Sequence, residues 1–246
     1  MTIKYLVLSG GGPKGLSQFG VLKKLFHDKF LDISDIEGIY ATSIGTVISL
    51  LLTLNVDVND LEEYLLKKTW KKSFMNHANN IIEFDKEKGL IHHSFIKEIL
   101  ECFYKAKDID INISFRDFYE MNHVDLHFYS INLADYSLYE LSNKNTPDMP
   151  IIDACIASCS IPPIFGPVKY KNNYYMDGGF FNNYPLNSCL DNQKCAEHEI
   201  LGICVSNNIT PAYNNIEDQS FIGHLSKILG DLIMINMTDE KQMLIK

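Results

Sequence analysis

Apolar positions along the chain change period several times, and each change marks an element. Lys4 to Leu8 is a short run of strand formers ended by glycines, after which Leu16, Phe19, Leu22, Lys23 and Phe26 recur at helical spacing. Ile36 to Ala41 begins the same pattern again as a second strand. Ile44, Val47, Ile48, Leu51 and Leu52 then share one helical face. The segment from Asp57 to Met121 is helical and rich in polar residues. Leu61 to Trp70 is expected to form one helix, Ser94 to Tyr104 another, and Ser114-Phe115-Arg116-Asp117 a capped helix start.

Val124 to Asn132 and Leu138 to Leu141 alternate as a strand pair across a turn at Ala134-Asp135-Tyr136. Asp153 to Ser158 is a short helix halted by Pro162-Pro163, and Tyr174 to Met176 a strand that ends at Asp177-Gly178-Gly179. Ile200 to Val205 is expected to be a buried strand. Ile216 to Met237 is expected to be a long helix with Phe221, Leu225, Ile228, Leu229, Leu232 and Ile233 on one broad face, packed on the sheet. Strands alternating with helices give an α/β, three-layer fold: a mostly parallel central sheet with helices on both faces. Residues 1–246 are expected to form a single domain, since 46% hydrophobic content over this length can bury one sizeable core.

Charge narrows the partners. Lys and Arg number 22 against 31 Asp and Glu, a net charge of −9, and no basic run is long enough to follow a phosphate backbone, which argues against nucleic acid. The apolar run at the start stops at Ser9-Gly10-Gly11, too short for a signal peptide, and no stretch approaches the roughly 20 apolar residues of a membrane span. The expectation is a cytoplasmic protein, at most peripheral at membranes. Its six cysteines form no CxxC pair and suit reduced, buried thiols. His92-His93 and His123 with His127 lack acidic companions, so neither a metal nor a cofactor is expected.

Three motifs carry candidate chemistry. Ala41-Thr42-Ser43-Ile44-Gly45, between a strand and a helix, is close to the G-x-S-x-G nucleophile elbow, whose turn lifts the serine above the sheet with the positive end of the next helix behind it. Gly10-Gly11-Gly12-Pro13-Lys14-Gly15 offers backbone N–H groups to negative charge, as an oxyanion hole or, through Gly10, Gly12 and Gly15, as a G-x-G-x-x-G phosphate turn. A dinucleotide site needs an acid at the end of the second strand, where this chain has Tyr40-Ala41-Thr42-Ser43. Asp177-Gly178-Gly179, with Asn183-Tyr184-Pro185, puts a carboxylate in an open turn, although the same tripeptide also makes an ordinary β-turn.

In this order the three motifs resemble the patatin-like phospholipase family, whose hallmarks are a G-G-G-x-[KR]-G loop, a G-x-S-x-G elbow and a D-G-G motif. Ala157 to Phe165 is similar to the family's small-residue helix and proline turn, and Asn183 and Pro185 fit its extension of D-G-G. The resemblance runs from Ile3 to Pro185. It departs at Ala41, which replaces the usual glycine and whose methyl group is expected in the tightest part of the turn. What the resemblance implies is a patatin-like fold and a lipid acyl hydrolase acting on fatty acyl esters, above all glycerophospholipids. Ser43 would be the nucleophile, Asp177 its base, and Gly11 and Gly12 oxyanion donors, with Lys14 supporting the loop or meeting an anionic head group. Gly10, Gly15, Gly45, Gly178 and Gly179 would shape the turns. Two other readings stay open: a nucleotide- or phosphate-binding protein using the Gly10 to Gly15 loop, and an inactive scaffold. His198 and His224 follow Asp177 in the order of an ordinary Ser-Asp-His hydrolase, but their polar and helical surroundings suit surface or packing roles. Phe180, Phe181, Tyr174 and Tyr175 are candidates for an apolar acyl wall or a membrane-touching rim.

Overall fold

The computed structural model describes residues 2–78 and 81–205. The helix expected over Ile216 to Met237, with His224 in it, lies outside the described residues. Both early strand–turn–helix units form. β1 (Tyr5–Leu8) passes through the glycine loop and a 3-10 turn at Gly12–Leu16 into α1 (Ser17–His27), and β2 (Gly38–Thr42) turns at once into α2 (Ile44–Thr53). The helical stretch holds α3 (Val58–Lys67), α4 (Trp70–Asn76), α5 (Ile81–Glu87), α6 (Ser94–Ala106) and α7 (Phe115–Asn122). The hairpin β3 (Asp125–Asn132) and β4 (Ser137–Ser142) follows, then α8 (Ile151–Cys159), β5 (Val168–Tyr170), β6 (Asn173–Asp177), α9 (Gly179–Asn182), α10 (Leu186–Gln193) and β7 (Ile200–Ile203).

Local chemistry sets several boundaries. Asp57 caps α3 by accepting from the amides of Asn59 and Asp60, and the Ser114 hydroxyl caps α7 through the Asp117 amide. The single helix expected from Leu61 to Trp70 is instead two. The backbone turns extended at Lys68, whose amine donates to Tyr64 Oη at 2.6 Å and Glu98 Oε1 at 2.7 Å, while the Trp70 indole donates to the Leu65 carbonyl at 2.8 Å. These side-chain bonds hold a corner that apolar periodicity does not encode. β7 stops at Ile203, short of the expected Val205, and is half-buried at Ile200 and Leu201; it ends the row of strands among the described residues.

The strands run in the order β5-β6-β3-β2-β1-β7, with β4 added to β3. β7, β1, β2 and β3 are mutually parallel, and β4, β5 and β6 are antiparallel additions. Register places Leu6, Ile39 and Leu126 in one row and Leu8, Ala41 and Phe128 in the next, and both rows belong to the main core with residues of α1, α2, α6 and α8. Val7, Tyr40 and Tyr129 face the other way, onto Tyr184 and Cys189. Burial on both faces is why β1 and β2 lack polar alternation.

One topological detail fixes the site. β4 occupies one edge of β3 from His127 to Asn132, so β2 and β6 share the opposite edge. β2 fills that edge up to Tyr129 and β6 fills it from Ser130 onward, running the other way. Their C-terminal residues, Thr42 and Asp177, therefore lie opposite consecutive residues of β3.

Candidate active site

Ser43 follows Thr42 directly, and its backbone (φ 54°, ψ −128°) is bent into a region that L-residues rarely occupy. Neighbouring groups hold the strain in place. The Ser43 amide donates to Ser158 Oγ at 2.9 Å, and Ser158 donates onward to the Tyr129 carbonyl at 2.6 Å. The Ser43 carbonyl accepts from the Thr46 amide at 2.8 Å and the Thr46 hydroxyl at 2.7 Å, which opens α2 immediately behind the serine.

The tight point of this turn is Gly45, where a Cβ would stand 2.6 Å from the Leu8 carbonyl oxygen. Ala41 does not occupy it, contrary to expectation. It lies in β2, fully buried, with its methyl group in the main core. Ala41→Gly is accordingly expected to lower stability by about 1–2 kcal/mol through lost packing and added backbone entropy, with turnover unchanged. Thermal unfolding and ester hydrolysis of the variant check this.

The other motifs converge on the elbow. A Cβ on Gly10 would meet Asn183 Oδ1 at 2.0 Å and Ser43 Cβ at 3.1 Å, so the loop can approach the serine only as glycine. The Gly10 amide donates to the Asn183 carbonyl at 2.9 Å, and the Thr42 hydroxyl to the Asn182 carbonyl at 2.7 Å, tying loop, elbow and the segment after Asp177 together. Gly15 packs on Ile44. Gly11 and Gly12 are half-buried, Gly12 with φ +52°, and Lys14 is exposed. The loop enters a 3-10 turn before α1 begins at Ser17, so the N-terminus of α1 is not at the glycines as a phosphate turn would have it.

Asp177 is fully buried. Its Oδ1 accepts from the Gly179 amide at 2.7 Å, its own amide donates to the Ser160 carbonyl at 2.9 Å, and Gly178 lies against the Tyr129 carbonyl. Oδ2 has no hydrogen-bond partner among the described residues. Burial raises the carboxyl from 3.8 to about 7, against the Ser43 hydroxyl and the Gly179 amide, which favour the ionised form. Beside it, Cys159 is held as a neutral thiol: the hydrogen bond its thiol donates to Cys155, burial and the nearby Asp177 all push its pKa up.

The histidines stand elsewhere. His198 is exposed in a 3-10 turn just before β7, so it sits at the edge where the parallel strands begin, while Ser43 sits where they end. His127 overturns the expectation that it has no acidic companions. Its Nδ1 meets Glu140 Oε1 at 3.0 Å and its Nε2 meets Asp125 Oδ2 at 3.2 Å, with the ring stacked on Tyr40. Asp125 shares its β3 face at a spacing of two, and hairpin register brings Glu140 alongside. Even so, no cluster of three or more His, Cys, Asp or Glu suited to a metal occurs among the described residues. None of the described helices is long and apolar enough to cross a membrane. Of the four aromatics considered for an acyl wall, Tyr175 is buried, Phe180 half-buried, and Tyr174 and Phe181 exposed.

Fold and site together define an α/β protein with a strained serine on a strand-to-helix elbow, a glycine loop against it and a buried carboxylate at the end of a neighbouring strand. A model of the patatin-like phospholipases matches residues 6–190, and the chain belongs to that family. It is similar to probable lipid hydrolase 463L of Invertebrate iridescent virus 6, 31% identical over 185 residues, 74% of this chain and 62% of the relative. It also resembles triacylglycerol lipase 4 of Saccharomyces cerevisiae, 33% identical over 178 residues, 65% of this chain and 18% of the relative. The chain thus spans less than two thirds of either relative. Among solved structures, VipD from Legionella pneumophila shares the fold with a TM-score of 0.55 at 19% identity, over 82% of this chain and 49% of that one.

Proposed function

We propose that this protein is a lipid acyl hydrolase of the phospholipase A type, in which Ser43 attacks the ester carbonyl of a glycerophospholipid and Asp177 takes its proton. The observation that carries the reading is Asp177 itself: a fully buried carboxylate beside the elbow, one oxygen anchored by the Gly179 amide, with the Ser43 hydroxyl acting on it and its pKa raised to about 7. An exposed carboxylate is too weak a base for a serine hydroxyl, and burial removes that handicap by making proton uptake favourable near neutral pH. No histidine of the described residues competes for the role.

In the first half-reaction the Ser43 Oγ–carbonyl bond forms as the proton passes to Asp177. The tetrahedral oxyanion is met by N–H groups of Gly11 and Gly12, because the Gly10 amide is taken by Asn183. Collapse breaks the ester bond, and the departing alkoxide takes the proton from Asp177. Water then attacks the acyl-serine with Asp177 again as base, and the fatty acid leaves. Lys14 supports the glycine loop in this scheme. Ala41, packed in the core, gives no ground for an inactive scaffold.

Labelling by a fluorophosphonate probe tests the nucleophile. The wild type is expected to label at Ser43, and Ser43→Ala to lose both labelling and fatty acid release from phospholipid vesicles. Retained turnover in Ser43→Ala would sink the proposal.

A further inference from the structure

The segment from Tyr64 to Ile82 carries Lys67, Lys68, Lys71 and Lys72 and no acidic residue, in a chain of net charge −9. Apolar side chains are interleaved with these lysines and left in solvent: Leu66 is 78% exposed, Met75 62% and Phe74 40%. Two of the lysines have protein partners, Lys67 with Glu63 and Lys68 with Glu98. Lys71 and Lys72 are exposed and make no ion pair among the described residues. Trp70 lies half-buried at the corner between α3 and α4, with Lys68 Nζ 5.4 Å from its ring.

This patch is joined to the candidate active site by packing. Phe74 meets Phe95 edge-on at 5.5 Å, and Phe95 stacks on Phe165 at 6.4 Å. The amides of Leu90 and Ile91 donate to the carbonyls of Pro163 and Ile164, at 2.9 and 2.8 Å. That loop begins at Ser160, whose carbonyl binds the Asp177 amide. The patch and the carboxylate are therefore held by one loop.

We infer that the α3–α4 corner is the surface by which this protein docks on anionic phospholipid bilayers, with Lys71 and Lys72 meeting the head groups and Leu66, Phe74 and Met75 entering the interface. Charge complementarity selects this occupant. On an acidic protein, a basic island is drawn to a negative bilayer while the remaining surface is repelled, which sets orientation as well as affinity. Lysines alternating with exposed apolar side chains on short helices suit the boundary between head groups and acyl chains, where both kinds of group are satisfied. An acidic protein surface would satisfy the lysines but not Leu66 and Met75.

The inference rests on the lipid hydrolase reading, and its test separates the two. Ser43→Ala protein, which leaves the lipid intact, is sedimented with vesicles of phosphatidylcholine and with equimolar phosphatidylcholine–phosphatidylserine. Strong partitioning is expected only on the anionic vesicles, falling as salt is raised. Adding Lys71→Glu and Lys72→Glu is expected to weaken it by about 30-fold or more, and Leu66→Asp with Met75→Asp by a similar factor. The same exposed substitutions in the active chain are expected to leave hydrolysis of a soluble short-chain ester unchanged, which also reports that the fold is intact. Equal vesicle binding by the lysine variants, or equal binding to both compositions, overturns the docking surface. Absence of soluble ester hydrolysis in the unsubstituted chain instead overturns the hydrolase reading, leaving the binding result to stand alone.

Discussion

Asp177→Asn is expected to lower kcat on phospholipid by on the order of 1,000-fold while raising stability at neutral pH. The first effect follows from removing the base, because an amide keeps the volume and the anchor to Gly179 but cannot accept a proton. The second follows from the direction of the pKa shift. Because the folded pKa lies above 3.8, at about 7, the folded state holds the proton more tightly than the unfolded chain. Wild-type stability therefore declines as pH rises from about 3.8 to about 7, by an amount on the order of a few kcal/mol, and the asparagine variant lacks that decline. The same titration governs turnover with the opposite sense. kcat/KM of the wild type is expected to rise with pH, tenfold per unit on the acid limb, and to level off above about 7. Initial rates and thermal unfolding across pH 5 to 9 check both effects; a flat rate profile, or an asparagine variant as active as the wild type, would exclude Asp177 as the base.

Glu140→Gln is expected to cost about 3–5 kcal/mol, the usual consequence of removing one partner from a buried ion pair. In a chain of this length that is a loss of roughly 10 °C in Tm. Burial opposes the charge on His127, yet hydrogen bonds and attraction from Asp125 and Glu140 outweigh it and raise its pKa from 6.5 to about 9. Burial likewise works against Glu140, but His127 lowers its carboxyl from 4.5 to about 2. The histidine's contribution is complete below about 6.5 and is lost as pH rises through about 9. The glutamate's contribution is present above about 4.5 and is lost as pH falls through about 2. The pair is thus at full strength between about 4.5 and 6.5. Calorimetry of the glutamine variant should show its deficit largest in that window; an unchanged Tm at pH 6 would remove the pair from any structural role. Because Glu140 also accepts from Tyr129 Oη at 3.1 Å, and the Tyr129 carbonyl accepts from Ser158, part of the loss should appear as looser geometry at the Ser43 elbow.

The parts of this molecule that were legible in the sequence are those encoded locally. The elbow at Ser43, the glycine loop and both flanking strand–helix units announce themselves within a few residues, because tight turns need small residues and helices need a periodic face. The corner at Lys68 was not legible, since it depends on Glu98 in another helix. The pairing of Ser43 with Asp177 came from the order of the motifs alone; the antiparallel register of β6 on β3 that brings the two strand ends together was not legible. The role of Ser158 as acceptor for the Ser43 amide depends on a contact 115 residues apart, and the small-residue run from Ala157 to Ser160 marks only a place where backbones come close. The Asp125-x-His127 spacing does signal the ion pair in the sequence, as residues two apart on a strand share a face. Gly45 was legible as a turn glycine, yet it is Gly45, and not Ala41 four residues earlier, that occupies the tight point of the elbow.

The head-to-head arrangement of β2 and β6 along one edge of β3 makes the spacing of the serine and the carboxylate independent of the chain that joins them. The α3–α5 stretch between them contributes no strand to that edge, so it can lengthen, shorten or acquire new surface without altering that spacing. Loops and added helices lose little by growing, since closing a longer loop costs only slightly more entropy. The intervening segment is thus free to diversify toward different lipid surfaces while the chemistry stays put, which makes the α3–α5 stretch the natural place to graft new substrate preferences onto this scaffold.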